Sequence, residues 1–484
     1  MSSFADIFPH AFWGVAAPEI VLLGLICAVL IADLFIEDEN RVITFWLSIA
    51  SLLVTLWLVL SNAIVARTVV FDGAYVADPL SQVLKAGSIV FVGIAFLYAR
   101  DYLRANDLHK GEYYILGLFG LLGMMIMISA NSLLPMYLGL ETLALSQYAL
   151  VAIDRKNVIA AESAIKYFVL GAIASGALLY GISWVYGVTG TLQFDVMAAA
   201  IVADPGLNSL ALWFGLAFMI VGIAFKFGAV PFHMWLPDVY EGARSPVTLY
   251  IASAPKLAAL ALALRILSDG LGGLSDVWAD MILVIAVLSL LLGNFVAIAQ
   301  TNIKRMLGYS TIGHVGFILL AVFLGTEKGY AASLFYTLTY VVGAAAAFGI
   351  VILLSRRGFE AENLSDFKGL NARSPWFALM MMFVMLSLAG IPPFVGFFGK
   401  LNVIDAALSS GHTGLAVLMV LASVIGAFYY LRVIWYMYFE AAEDQPILQA
   451  STDTRLVLSL NSIAVLALGI VPGWLWALCV TVLG

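Results

Sequence analysis

Apolar runs of about twenty residues follow one another along almost the whole of this 484-residue chain. A bilayer core about 30 Å thick is crossed by roughly 20 apolar residues in a helix, and inside it every backbone polar group must be satisfied internally. The runs fall near 17–36, 42–62, 79–99, 112–130, 132–153, 160–187, 209–240, 246–267, 277–299, 303–324, 329–354, 375–409, 414–438 and 456–482. They predict an all-α polytopic membrane protein with about fourteen transmembrane helices. With 63% apolar residues, 11% charged residues and a mean hydropathy of +1.03, the composition excludes an ordinary water-soluble domain.

The N-terminus holds Asp6 and Glu19 and no basic stretch before its apolar run, so the first span is expected to be retained and not cleaved as a signal peptide. Basic residues then orient the chain. With the N-terminus outside, the inner loops hold Arg41, Arg100, Arg104, Lys110, Arg155, Lys156, Arg244, Lys304, Arg305, Arg356, Arg357, Lys368, Arg373 and Arg455, with Arg432 near an inner helix end; the outer side holds Arg67, Lys328 and Arg265. The positive-inside rule therefore puts both termini outside and favours an even number of spans. No linker or soluble insertion divides the chain, so residues 1–484 read as one membrane domain. Residues 68–77 alternate loosely around Asp72-Gly73, which suits either a small outer β-hairpin or a polar-tipped loop.

Two spans are too long for straight helices. At 1.5 Å per residue, 209–240 and 375–409 would reach about 48 and 52 Å. Pro231 interrupts the first, and Pro392 and Pro393, flanked by Gly390 and Gly396, interrupt the second. Each is expected to be two half-helices around an unwound turn lining a hydrated cavity. Two such spans, five apart, suggest an inverted repeat of spans 4–8 (112–267) and 9–13 (277–438), with spans 1–3 and 14 peripheral.

Each broken span also carries a lone lysine near its break, Lys226 and Lys400, and two other lone charges, Glu141 and Lys256, lie about ten residues from either end of their spans. That is some 15 Å from an interface, beyond side-chain reach. A mid-membrane charge costs about 2.5–3.5 kcal/mol even on a lenient scale, so a purely structural bundle has little use for four. Desolvation disfavours the charged form and a nearby opposite charge restores it, so a row of such groups reads as a proton relay gated by charge. The bland alternative is a single Glu141–Lys226 ion pair locking two helices. Lys85, near a span end, is expected to snorkel to the interface. Lys166 has Glu162 one turn earlier as a local partner. His233, past the first break, and His314, mid-span with hydroxyls one turn away, can both accept and donate protons near neutral pH and extend the row.

Other chemistry is missing. Cys27 and Cys479 both lie in spans, so neither a disulfide framework nor a four-cysteine cluster is available. No histidine pair has metal-ligand spacing, and no dinucleotide fingerprint, P-loop or nucleophile elbow occurs. The chain is expected to hold no cofactor or metal and to bind no nucleic acid.

Six segments carry a family resemblance: Gly139-Leu-Glu-Thr-Leu-Ala-Leu-Ser146, Glu162-Ser-Ala-Ile-Lys-Tyr-Phe168, the run from Phe225 to Gly242 through Pro-Phe-His-Met-Trp, Ala254-Pro-Lys256, Asn302-Ile-Lys-Arg-Met-Leu-Gly-Tyr-Ser310 and Gly390-Ile-Pro-Pro-Phe-Val-Gly-Phe-Phe-Gly-Lys400. Over nearly its full length the chain resembles the N-type antiporter-like membrane subunits of bacterial respiratory complex I, the proton-translocating NADH:quinone oxidoreductase. The resemblance implies Glu141 and Lys226 as a coupling ion pair, Lys256 as central relay and Lys400 as outlet-side site, with Lys166 and His314 assisting. A lysine at position 400 agrees with the N and L types; the M type has glutamate there. It also implies a bacterial inner-membrane location and neighbouring membrane subunits, an M-type antiporter-like chain and small K, J and A types. Flavin, iron–sulfur clusters and quinone would belong to other subunits, with no redox chemistry in this chain. A subunit of a multi-subunit cation/proton antiporter is the alternative, since it shares the broken helices and lysines.

Overall fold

The computed structural model of the chain describes residues 14–37, 41–62, 64, 66–207, 209–355, 357–441 and 451–483. Asp6 and Arg356 lie outside the described residues. The chain is a bundle of antiparallel helices: α1 (Ala17–Asp33), α2 (Val42–Ser61), a short hairpin of β1 (Thr68–Val70) and β2 (Tyr75–Ala77), α3 (Pro79–Ala105), α4 (Gly111–Ile128), α5 (Leu133–Val151), α6 (Val158–Thr189) and α7 (Phe194–Ala203). The remainder comprises α8 (Leu210–Phe227), α9 (Trp235–Gly242), α10 (Ser245–Ala252), α11 (Pro255–Leu264), α12 (Ser275–Ala299), α13 (Ile303–Phe323), α14 (Glu327–Leu354), α15 (Leu370–Arg373), α16 (Pro375–Ala389), α17 (Val395–Ser409), α18 (Thr413–Phe439), α19 (Thr452–Ile470) and α20 (Pro472–Leu483).

Eleven helical stretches among the described residues are long and apolar enough to cross a membrane. The expected fourteen also included α1, at 17 residues, α5, diluted by Glu141 and Gln147, and the pair α16 and α17, at 15 residues each. The segment 68–77 forms the hairpin, with Thr68 opposite Ala77 and Val70 opposite Tyr75. Its tip has Phe71, Asp72 and Gly73 at positive φ.

Successive connections meet at alternate ends of the bundle. At one end, Arg67, just before β1, pairs with Asp195 in the first turn of α7 at 2.7 Å, and Ser132 bridges to Gln193. At the other, Arg244 pairs with Asp154 at 2.6 Å and with Glu360 at 3.1 Å, and Lys304 pairs with Glu362 at 2.9 Å. These are the hairpin end and the arginine-rich end.

The tightest pairings are hairpins whose backbones touch. A Cβ on Gly123 of α4 would lie 2.6 Å from the Gly139 carbonyl of α5. One on Gly316 of α13 would lie 2.7 Å from the Leu290 backbone nitrogen of α12. Without a hydrophobic force between helices in lipid, such close backbone approach supplies much of the packing energy. α14 runs through the middle, packed against α3, α10, α11, α13, α16, α17, α19 and α20.

One interruption was not expected. The span 246–267 is split: α10 ends at Ala252, Ser253 leaves helical geometry with φ −107° and ψ −102°, and Pro255 opens α11. Proline has no N–H to donate to the preceding turn and its ring crowds the carbonyl there, so it starts a helix more readily than it continues one. A π-helical turn, Arg265–Gly270, then carries this span to the hairpin end.

Candidate functional site

Both broken spans are built alike. α8 closes at Phe227 with Gly228 at φ +78°; the Gly228 amide donates to the Phe225 carbonyl at 2.9 Å and the Ala229 amide to the Ala224 carbonyl at 2.8 Å. α16 closes at Ala389 with Gly390 at φ +84°; the Gly390 amide donates to Ser387 at 2.9 Å and the Ile391 amide to Leu386 at 3.0 Å. This pair of bonds is the Schellman motif, which needs a residue tolerant of left-handed backbone and satisfies the carbonyls two and three residues before the last helical one. A cis proline follows in each, at Val230–Pro231 and Pro392–Pro393, before helix resumes at Trp235 and Val395.

The last helical carbonyl is left over, and each time a buried lysine takes it. The Lys256 ammonium donates to the Phe227 carbonyl at 2.8 Å, and the Lys400 ammonium to the Ala389 carbonyl at 2.8 Å. Lys256 is 2% exposed and Lys400 7%. A cation at a helix C-terminus meets the negative end of the helix dipole as well as an unsatisfied acceptor. Lys256 comes from the neighbouring span, on the first turn of α11, whereas Lys400 comes from the second half of its own broken span.

Lys226, on the last turn of α8, is also buried, and its ammonium donates to Gln147 Oε1 of α5 at 3.3 Å. The same oxygen accepts from the Tyr167 hydroxyl of α6 at 2.9 Å. Tyr167 stacks on Trp235 with ring centroids 4.5 Å apart, and the Lys256 ammonium lies 5.9 Å from the Trp235 ring centre. Gln147, Tyr167 and Trp235 thus fill the interval between the two lysines. Glu141, half-buried on α5, accepts a hydrogen bond from the Ser175 hydroxyl. No ion pair within 4.0 Å joins Glu141 to Lys226 among the described residues. Beside Lys226 lies a cavity of about 20 Å³ lined by Tyr148, Tyr167, Gly171, Ser175 and Lys226, enough for one water molecule.

In the other half, His314 of α13 bonds the Tyr336 hydroxyl through Nδ1 at 2.7 Å and the Tyr430 hydroxyl through Nε2 at 2.9 Å. The expected hydroxyls one turn away act at second hand: Ser310 bonds Tyr430, and Thr311 bonds Tyr340 at 2.8 Å. Tyr336 stacks on Phe317, whose ring centre is 5.5 Å from the Lys400 ammonium. A groove of about 370 Å³ beside Lys400, lined by Gly390, Ile391, Leu401 and Val424, opens to the bundle surface.

Lys166 and His233 sit apart from this buried line. Lys166 is exposed at the arginine-rich end of α6, 2.9 Å from Glu162 and 3.1 Å from Asp238 of α9, which also binds Arg305 at 2.8 Å. His233 is half-buried within the first break, beside exposed Pro231; Pro392 and Pro393 are exposed in the second. Lys85 corrects the expectation of snorkelling. It is 4% exposed and pairs with Glu19 of α1 at 2.6 Å, and it donates to the Tyr75 hydroxyl at 2.8 Å. A partner 66 positions away in sequence removed the need to reach the interface. Sequence reasoning missed Gln147, Tyr167, Ser175, Tyr336 and Tyr430. Each is neutral, and their one signal is a hydroxyl or amide within an apolar run beside a lone charge.

Residues 130–426 match the family model described as the membrane domain of NADH:quinone oxidoreductases and Mrp antiporters. The chain is 54% identical to the NADH-quinone oxidoreductase subunit N of Thioalkalivibrio sulfidiphilus, over 95% of this chain and 96% of the relative. It is 52% identical to the subunit N of Alkalilimnicola ehrlichii, over 98% and 97%. Its structure is similar to a chain of respiratory complex I from Thermus thermophilus, with a TM-score of 0.82 and 30% identity over 95% of this chain and 98% of that one. A chain of the Mrp complex from Dietzia shares the fold at TM-score 0.81 and 22% identity, over 97% of this chain and 95% of that one. The chain belongs to the antiporter-like NADH:quinone oxidoreductase/Mrp membrane family, within its NADH-quinone oxidoreductase subunit N group.

Proposed function

We propose that this chain is the proton-translocating N subunit of an NADH:quinone oxidoreductase and moves protons along Glu141, Lys226, Lys256, His314 and Lys400, with Lys166 and His233 at its margins. NADH oxidation and quinone reduction, with their flavin and iron–sulfur clusters, take place in other subunits, and this chain does no redox chemistry. The observation that carries the reading is the repeated half-site, a lysine ammonium held on the terminal carbonyl of a broken helix in each half of the bundle. An ammonium bound by one carbonyl and a helix dipole, with no carboxylate in contact among the described residues, is charged at a cost that a small electrostatic change can tip. In the relay, withdrawal of the Glu141 charge releases a proton from the Lys226 ammonium to the neutral Lys256 amine. The protonated Lys256 then repels onward charge towards His314 and Lys400.

The matching glycine-tight hairpins, α4 with α5 and α12 with α13, and the matching breaks support the inverted repeat of 112–267 and 277–438, with the remaining spans peripheral. The arginine-rich end is assigned to the cytoplasm of a bacterial inner membrane and both termini to the periplasm, on the positive-inside rule. Exposed apolar residues such as Trp57, Leu138, Ile165 and Trp435 suit lipid and neighbouring membrane subunits, an M-type chain and the small K, J and A types.

The test is a Lys256→Ala variant in the intact complex. Assembly on a native gel and NADH oxidation by an artificial acceptor are expected to stay near the parent, while NADH-driven proton pumping loses most of its rate. Pumping equal to the parent would defeat the relay.

A further inference from the structure

Gln147 is an unusual neighbour for a buried ammonium. Its side chain is 1% exposed, its Oε1 accepts from both Lys226 and Tyr167, and its Nε2 is buried with no hydrogen-bond partner among the described residues. A buried amide N–H left unpaired is a standing cost, and one oxygen with two donors is the arrangement that a charged lysine imposes. A neutral lysine keeps two N–H donors but gains a lone pair, so only then can it also accept from the amide N–H that is now unpaired.

We infer that Gln147 is a positioning residue that passes the protonation state of Lys226 to Tyr167 by turning its carboxamide over, a role that rests on the relay proposed above. With Lys226 as ammonium, Oε1 faces Lys226 and the Tyr167 hydroxyl, and the hydroxyl proton is committed to Gln147. When the Lys226 proton passes to the Lys256 amine, leaving Lys226 as NH2 and Lys256 as NH3⁺, a half-turn of the amide brings Nε2 round. It then donates to the Lys226 lone pair and to the Tyr167 oxygen. Tyr167 becomes an acceptor towards Gln147, and its own O–H is freed to donate into the cavity shared with Tyr148 and Ser175. The amide gains and loses no proton, so it conducts information and not charge. Tyr167 is stacked on Trp235, so the reversal takes place beside the aromatic face that Lys256 approaches. The titratable groups facing Lys226 are Glu141 and Tyr148 from α5, Tyr167 from α6 and Lys256 from α11; α12, packed against α8, offers Ser289 to the break.

The experiment uses the intact complex in proteoliposomes, with NADH-driven proton pumping recorded from about pH 6 to 9 for Gln147→Met, Gln147→Glu and Lys226→Ala. Native gels and artificial-acceptor NADH oxidation confirm assembly. Methionine matches the shape of glutamine without its acceptor, so the ammonium is less well held and the profile is expected to move acidic. Glutamate places a carboxylate against the ammonium, so it should move alkaline, each by about one pH unit, the low end of what a single adjacent charge does. Opposed shifts from two near-isosteric variants cannot come from a packing defect. If both variants pump less but keep the parent profile, Gln147 is a structural residue and the inference fails while the relay stands. If Lys226→Ala pumps like the parent, the relay and this inference fall together.

Discussion

Glu360 shows how a single loop residue at the arginine-rich end carries a pH dependence of its own. Its carboxylate meets Arg244 at 3.1 Å and the Ser245 hydroxyl at 3.0 Å, but Arg244 spends two of its nitrogens on Asp154. Burial, and then the neighbouring Glu362 carboxylate, push Glu360 up from its ordinary 4.5 to about 8. Between those values the folded chain keeps a proton that the unfolded chain has lost, so stability falls as pH rises through the window. Glu360→Gln keeps an acceptor for Arg244 and Ser245 and abolishes the titration. The variant should show a flatter thermal midpoint in detergent between pH 5 and 8, gaining about 1–2 kcal/mol relative to the parent at the alkaline end after allowance for solvent screening. A midpoint that keeps the parent's slope would place the titrating group elsewhere. At this scale the sequence was read best where charge stood alone. Lys226, Lys256 and Lys400 are conspicuous among apolar neighbours, while Gln147 and Tyr336 look like any polar residue a helix can absorb. Lys85 was misread because distance to the span end says nothing about Glu19 on another helix.

Helices here are positioned by what glycine omits and where proline interrupts. Gly139 on α5 would set a Cβ 2.8 Å from both the Gly123 carbonyl and the Met127 nitrogen of α4, backbone atoms that cannot rotate away. Gly139→Ala should therefore separate α4 and α5 and cost about 1–3 kcal/mol, the usual range for overpacking. The equivalent Gly316→Ala should do the same to α12 and α13. Gly176, on α6, has nothing within 4 Å of its Cβ position, and Gly176→Ala should be neutral or stabilising by up to about 1 kcal/mol. Thermal midpoints of the three purified variants check this, and an equal loss in all three would mean that close approach is not the cause. The two long spans were legible as broken because their length demanded it and Pro231 and Pro392-Pro393 marked the place. The break before Pro255 was equally marked, yet a span of ordinary length gave no reason to look for one. The carbonyl that each lysine takes could not be read at all, since it depends on which orphan acceptor the Schellman turn leaves over.

The proposed relay from Lys256 to Lys400 would cross between the two proposed repeats and would need them held in register. α14 supplies the apolar part of that seam. At the arginine-rich end the polar part is Arg244, which ties the loop after α5, through Asp154, to the long connection before α16, through Glu360. Its side chain is 24% exposed, so the pairing is partly desolvated and removing it strands two carboxylates on opposite sides of the seam. Arg244→Gln should cost about 1.5–3 kcal/mol, the range for hydrogen bonds to charged groups. The loss should also depend on Glu360. In the double variant Arg244→Gln with Glu360→Gln, one stranded charge is already neutral, so stability should recover part of the way instead of falling by the sum of the single effects. Purified complexes melted at pH 8, where Glu360 would otherwise ionise, give the coupling directly. Strict additivity would mean that Arg244 serves Asp154 alone and that the halves are held by α14 without help from this end.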